Sequence, residues 1–250
     1  MTAGSTMRRH ALRLILLLLL GAVALQIVFV LRIALMAWVD PQSTTFQRSE
    51  AWRLLVEEQR ILWHQDWVDA DHISDHLKRP VIASEDAGFV DHSGVEWDAI
   101  EKAWERNLRA EERAARLGQR QPERAPQAKV VGGSTITQQL AKNLLLSSER
   151  TLPRKAQEFV LTFALEACLS KRRILEIYLN NVEWGEGVFG AQAAARHYFR
   201  VDAVQLTAGP AARLAVMLPA PKRFEKRMGS GYLADRAGTV LARMGGVELP

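Results

Sequence analysis

Apolar residues run almost without a break from Leu14 to Val39, and only after Asp40 does the chain take on the mixed spacing of an ordinary domain. Gln26 and Arg32 are the interruptions, and the run is longer than the ~20 residues a helix needs to cross a bilayer. Arg8, Arg9 and Arg13 precede it. The positive-inside rule therefore predicts residues 1–13 in the cytoplasm, 14–39 as a transmembrane anchor and 40–250 outside. A signal peptide cleaved near Ala22-Val23-Ala24 is the competing expectation; the apolar sequence continuing to Trp38 favours an uncleaved anchor.

Beyond Asp40-Pro41 the apolar positions recur at helical spacing. Phe46 to Trp67 predicts a mixed helix. Trp97, Ile100, Trp104 and Leu108 share one face of another, which becomes densely charged after Glu105 and runs into a Pro/Gln/Ala segment at 122–127. Ile136, Leu140 and Leu144 form a stripe behind Gly132-Gly133, with Ser134 or Thr135 as the cap. Ser170 caps a helix whose core face is Ile174, Leu175, Tyr178 and Leu179, and Gly185, Gly187 and Gly190 mark an irregular turn after it. Ala191 to Phe199 and Tyr232 to Met244 predict further helices. Asp202 caps one over 203–217 that Pro210 should kink. No stretch shows strand alternation, so the exported part reads as all-α.

Composition changes the picture little. The formal net charge is +5, of which Arg8, Arg9, Arg13 and Arg32 against Asp40 account for +3, leaving +2 for the remainder. The basic balance thus suits anionic lipid headgroups or a phosphate-bearing substrate and gives no case for nucleic acid. The single cysteine, Cys168, excludes an intrachain disulfide framework. His72 and His76 are four apart, but no HExxH glutamate lies between them and no third ligand is apparent, so no metal site is predicted.

Three stretches carry candidate chemistry. In VIASEDAGFVDHSG, the acids Glu85 and Asp86 follow an apolar lead-in, which strips water from a carboxylate, raises its pKa and suits it to proton transfer. The plain alternative is that one of the two caps a helix or lies in solvent. In GGSTITQQLAKNL, Gln138 and Lys142 share a helix face with Gln139 and Asn143 beside it, an arrangement suited to a polar, phosphate-bearing ligand. In the stretch from Ser147 to Arg173, Arg154 and Lys155 flank Glu158 at helical spacing, with Arg150 upstream. This is either a surface ion-pair cluster or an anion site.

Taken in order, VIASEDAGFVDHSG, GGSTITQQLAKNL, RKAQE, KRRILEIYLNNVEWGEGVFG with AAARHYF, and MLPAPKRF resemble the peptidoglycan glycosyltransferases, in particular the monofunctional, membrane-anchored biosynthetic type. The resemblance implies a lysozyme-like, mostly α-helical domain with a smaller membrane-facing jaw. It implies polymerisation of lipid II, the undecaprenyl-pyrophosphate disaccharide-peptide, into β-1,4-linked glycan. On the matching positions Glu85 is the catalytic base and Glu158 the second glutamate. Lys142, Arg150 and Lys155 surround the donor pyrophosphate, Ser134, Gln138 and Asn143 line the site, and Asp86 supports Glu85. No cofactor is required, with a divalent cation (Mg or Mn) as an optional aid at the pyrophosphate. The implied partners are lipid II and its growing glycan strand, the membrane, and other cell wall synthesis and division proteins. A lytic glycosidase and a non-enzymatic envelope scaffold are the rival readings. Ser-x-x-Lys and Lys-Thr-Gly are both missing from the sequence, so serine transpeptidase chemistry is not expected.

Overall fold

A computed structural model describes residues 3–120, 132–147, 149 and 151–250, the side chains of 3–6 and 118–120 excepted. Arg150 and the Pro/Gln/Ala segment at 122–127 lie outside the described residues. The chain is built mainly from helices: α1 (Ala3–Leu35), α2 (Thr45–Glu57), α3 (Asp75–Glu85), α4 (Trp97–Arg120), α5 (Ile136–Leu145), α6 (Leu152–Cys168), α7 (Lys171–Asn181), α8 (Ala191–Phe199), α9 (Ala208–Met217), α10 (Pro221–Phe224) and α11 (Gly231–Arg243). Residues Met7–Leu35 of α1 are long and apolar enough to cross a membrane.

Helix α5 packs against α6, α2 and α7, while α3, which ends at Glu85, packs with α9 and α11. The stripe Ile136, Leu140 and Leu144 is fully buried, as its spacing predicts. Thr135 starts α5 with a capping box, accepting from Gln138 N while Gln138 Oε1 accepts from Thr135 N at 3.1 Å. Such a cap contributes about 1 kcal/mol and fixes where the helix begins.

Several expectations change. Helix α2 ends at Glu57, and Gln59 takes a left-handed φ of 53°, which turns the chain into a strand instead of continuing to Trp67. Three short strands exist: β1 (His64–Gln65), β2 (Glu183–Gly185) and β3 (Val188–Phe189), in the order β1-β3-β2, with β1 parallel and β2 antiparallel to β3. Two or three residues cannot display a period of two, so alternation could not reveal them. Gly187, at φ 71°, is needed in the β2–β3 turn because a Cβ there would stand 2.4 Å from Leu62 O.

His72 sits in a 3-10 turn and His76 in α3, so they do not share a helix face. Pro210 kinks nothing. The segment after Asp202 splits into a 3-10 turn over Ala203–Gln205 and α9, which places Pro210 in the first turn of α9, where the missing N–H would have had no partner. On α4 part of the apolar stripe stays exposed among the described residues, with Trp97 64% and Trp104 67% exposed while Ile100 is half-buried.

Near the sheet, Glu183 is buried with Lys222 Nζ 3.4 Å from Oε1, and Lys222 also pairs with Glu50. Burial pushes the Glu183 carboxyl up to about 7, the pull of Lys222 offsetting only part of it. The folded protein therefore holds a proton on Glu183 that the unfolded chain has lost above about pH 4.5. That contribution to stability is fully present below this value and is lost as pH rises through about 7. Replacing Glu183 with Gln should remove a stability loss of up to about 3 kcal/mol between pH 5 and 8. Urea melts of both proteins at the two pH values check it; parallel losses would refute it.

Candidate active site

Glu85 is the last residue of α3 and Asp86 its C-cap, so the two carboxylates leave the same helix end and diverge. Asp86 is buried with both oxygens engaged. Its Oδ2 accepts from Ile136 N at 2.9 Å, an otherwise orphaned first-turn donor of α5, and its Oδ1 meets His92 Nε2 at 2.8 Å. Gly94 N donates to His92 Nδ1 at 3.1 Å, which leaves the ring proton on Nε2 to donate to Asp86.

The loop is then closed by Thr135 Oγ1 donating to Gly94 O at 2.6 Å. Gly94 itself has φ 89°, and a Cβ there would lie 2.7 Å from Thr162 Cγ2. Asp86 thus does cap the start of a helix, but one fifty residues away, and it ties the α3 end to the α5 start. Glu96 brings a third ligand-type atom within 4.8 Å of Asp86 and His92, but both Asp86 oxygens are already committed.

Glu85 points elsewhere. Its Oε2 accepts from Gln139 Nε2 at 2.9 Å, and Gln139 Oε1 in turn accepts from Tyr178 Oη at 3.1 Å. The Tyr178 hydroxyl thereby sets which way the Gln139 amide faces. Burial raises the Glu85 carboxyl above its ordinary value and the Asp86 charge adds to this, while the Gln139 hydrogen bond partly offsets both. The apolar approach through buried Val81 and Ile82 is the cause read from the sequence.

Gln139 also lines a cavity of about 280 Å³ together with Ser134, Gln138, Lys142, Asn143, Arg154, Lys155 and Glu158. The structure therefore gathers onto one wall six of the predicted residues from two stretches: Ser134, Gln138, Lys142 and Asn143 from the start and body of α5, Lys155 and Glu158 from α6. Glu85 adjoins that wall through Gln139. Gln138 is not on an open face, as its spacing suggested. It is 1% exposed, its Oε1 completes the cap, and its buried Nε2 has no partner among the described residues. Asp86 does not line the cavity.

On α6, Glu158 is buried and holds two cations: Arg154 Nη1 at 2.7 Å and, on its other oxygen, Lys155 Nζ. Lys155 also stands 5.1 Å over the Phe159 ring, which stacks on Trp97. Arg154 Nε is buried without a partner among the described residues. Each Glu158 oxygen thus carries a cation from its own helix.

Spacing placed Gln139 beside the polar face of Gln138 and Lys142, and Arg154 in a cluster that was either a surface ion pair or an anion site, while Tyr178 read as core. The structure adds their partners: Gln139 bonds Glu85 and Tyr178, and Arg154 bonds Glu158.

Replacing Asp86 with Asn should separate support from chemistry. An amide cannot accept from both His92 and Ile136, so one buried donor is stranded at a cost of about 1–3 kcal/mol. A melting temperature lower by several degrees is expected, with turnover reduced far less than in a Glu85 variant.

A family model described as Transglycosylase matches residues 55–245. The chain is 51% identical over 219 residues to a biosynthetic peptidoglycan transglycosylase of Paraburkholderia phytofirmans, covering 88% of this chain and 85% of that one. A protein of the same name from Burkholderia pseudomallei is 50% identical, covering 91% and 82% of the two chains. One from Bordetella pertussis is 51% identical, covering 86% and 84%. With the family model spanning most of the chain and half of the positions shared with these relatives, the chain belongs to the transglycosylase family, whose members transfer glycosyl units.

Proposed function

We propose that this protein polymerises lipid II into peptidoglycan glycan strands on the outer face of the bacterial cytoplasmic membrane. The observation that carries this is one cavity wall where a carboxylate of raised pKa, Glu85, stands behind Gln139 while Lys142, Arg154 and Lys155 supply positive charge. A hydrolase that cleaves glycan has no phosphate to neutralise, whereas a lipid pyrophosphate leaving group needs such a clamp.

In the step, the Glu85 carboxylate takes the proton from the acceptor's 4-hydroxyl. The hydroxyl oxygen forms a bond to the donor's anomeric carbon from the face opposite the pyrophosphate. The bond from that carbon to the pyrophosphate oxygen breaks, and undecaprenyl pyrophosphate departs with the electron pair, its charge met by Lys142, Arg154 and Lys155. Attack from the opposite face inverts the α-linkage to a β-1,4 bond. Glu158 holds Arg154 and Lys155 in place, Gln138 Nε2 offers a hydrogen bond, and Ser134 and Asn143 complete the wall. Asp86 positions Glu85 by tying α3 to α5. No step is routed through a divalent ion.

Helix α1 would span the membrane with its N-terminal arginines in the cytoplasm, which keeps the domain beside a substrate that never leaves the bilayer. Other cell wall synthesis and division proteins are proposed as neighbours in that membrane. Incubation with purified lipid II is the test. Long glycan with release of undecaprenyl pyrophosphate is expected; shortening of preformed glycan without polymerisation would point to the lytic reading.

A further inference from the structure

We infer that Gln26 and Gln157 form a pin that locks the anchor helix against α6 and sets the depth at which the cation-bearing wall meets the bilayer. This rests on the membrane reading of α1 proposed above.

The two amides pair reciprocally: Gln26 Nε2 donates to Gln157 Oε1 at 2.9 Å, and Gln157 Nε2 donates to Gln26 Oε1 at 2.9 Å. Gln26 is one of the two polar residues in the apolar run, and it falls on the single face of α1 that meets the domain. Gln26, Phe29, Ile33 and, just past the helix end, Met36 recur three or four residues apart and are buried or half-buried, while Ile27, Val28, Val30 and Leu31 between them are exposed. The top of the helix is held independently, by Arg173 Nε donating to Met36 O at 2.8 Å and Arg173 Nη2 bonding Asp40 Oδ1 at 2.6 Å.

The two fastenings are ten residues apart in sequence, about 15 Å along a helix. A helix held only at its top can pivot and turn. One held at both points cannot slide or rotate by a residue without breaking both. The apolar stretch Met7–Leu35, at 29 residues, is about 43 Å long against a ~30 Å hydrocarbon core, so its upper part can dock on protein and still leave a full span. In apolar surroundings an unpaired amide is costly, and Gln157 offers Gln26 both a donor and an acceptor. Gln157 in turn precedes Glu158 and lies on the helix that carries Arg154 and Lys155, so fixing α1 to this point of α6 fixes the clamp relative to the membrane.

The test uses the full chain in phospholipid vesicles, with Cys168→Ser and a nitroxide on Phe163→Cys, an exposed position of α6. Its depth is read from collision with oxygen against a water-soluble nickel complex. Gln26→Leu and Gln157→Leu should each shift or broaden that depth by several ångströms and lower turnover on vesicle-embedded lipid II at least fivefold. Turnover in detergent should stay within twofold, and the double variant should be no worse than either single one. Unchanged depth in both single variants would overturn the pin. So would equal activity losses in detergent and vesicles with a lowered melting temperature, which mark a plain packing contact. A parent nitroxide as accessible to nickel as in water would strike down the membrane reading itself, and the pin with it.

Discussion

Glu85→Gln should lower turnover by a factor of about 10²–10⁴, the usual contribution of a positioned general base, with the fold and precursor binding retained. The amide keeps the size of the side chain and can still accept from Gln139, so what is lost is the proton acceptor alone. Purified wild type and variant, given the same lipid II, provide the comparison; near-normal polymer from the variant would remove Glu85 from the chemistry. The pH dependence is a second signature. Because burial raises the Glu85 carboxyl, the ionised base is populated only above the ordinary glutamate range, and the acid limb of kcat/KM should lie correspondingly high. Gln139→Leu removes a hydrogen bond that favours the ionised form, so it should move that limb further up. A limb that stays in place would show that Gln139 does not tune the base.

Glu158→Gln should cost about 10²-fold in turnover, of the order seen when one electrostatic stabiliser is removed, and more in kcat than in KM. Glu158 is 2% exposed and neutralises two cations that reach the cavity from its own helix. An amide has a single acceptor atom and turns its NH₂ toward the cation that sat on the other oxygen. Arg154 or Lys155 then swings free, and the leaving pyrophosphate meets a disordered clamp at the moment its charge develops. The stranded charge should also lower stability by about 1–3 kcal/mol. Initial rates at saturating lipid II with a parallel thermal melt separate the two effects. Unchanged turnover would reduce Glu158 to a structural ion-pair residue.

The amino-acid sequence by itself determined the parts of this protein that repeat at short range. The apolar run of α1 shows by its length, and the α5 stripe of Ile136, Leu140 and Leu144 and the Arg154-Lys155-Glu158 cluster show by spacing within one helix, where a period of 3.6 is visible in a single window of sequence. The motifs around Glu85 and Gln138 were legible too, and through them the family. Only the tertiary structure decided what depends on contacts across the chain. Asp86 appeared as the partner of Glu85, yet its oxygens are spent on Ile136 and His92. Gln139, an amide beside the polar face of α5, and Tyr178, a core ring by pattern, form the chain of hydrogen bonds that reaches Glu85. The two- and three-residue strands carried no period to read, and Trp97, Trp104 and Leu108 on the apolar face of α4 stay largely exposed among the described residues. A hydrogen bond between residues far apart in sequence leaves no local pattern, because its energy is realised only once packing excludes water from both groups.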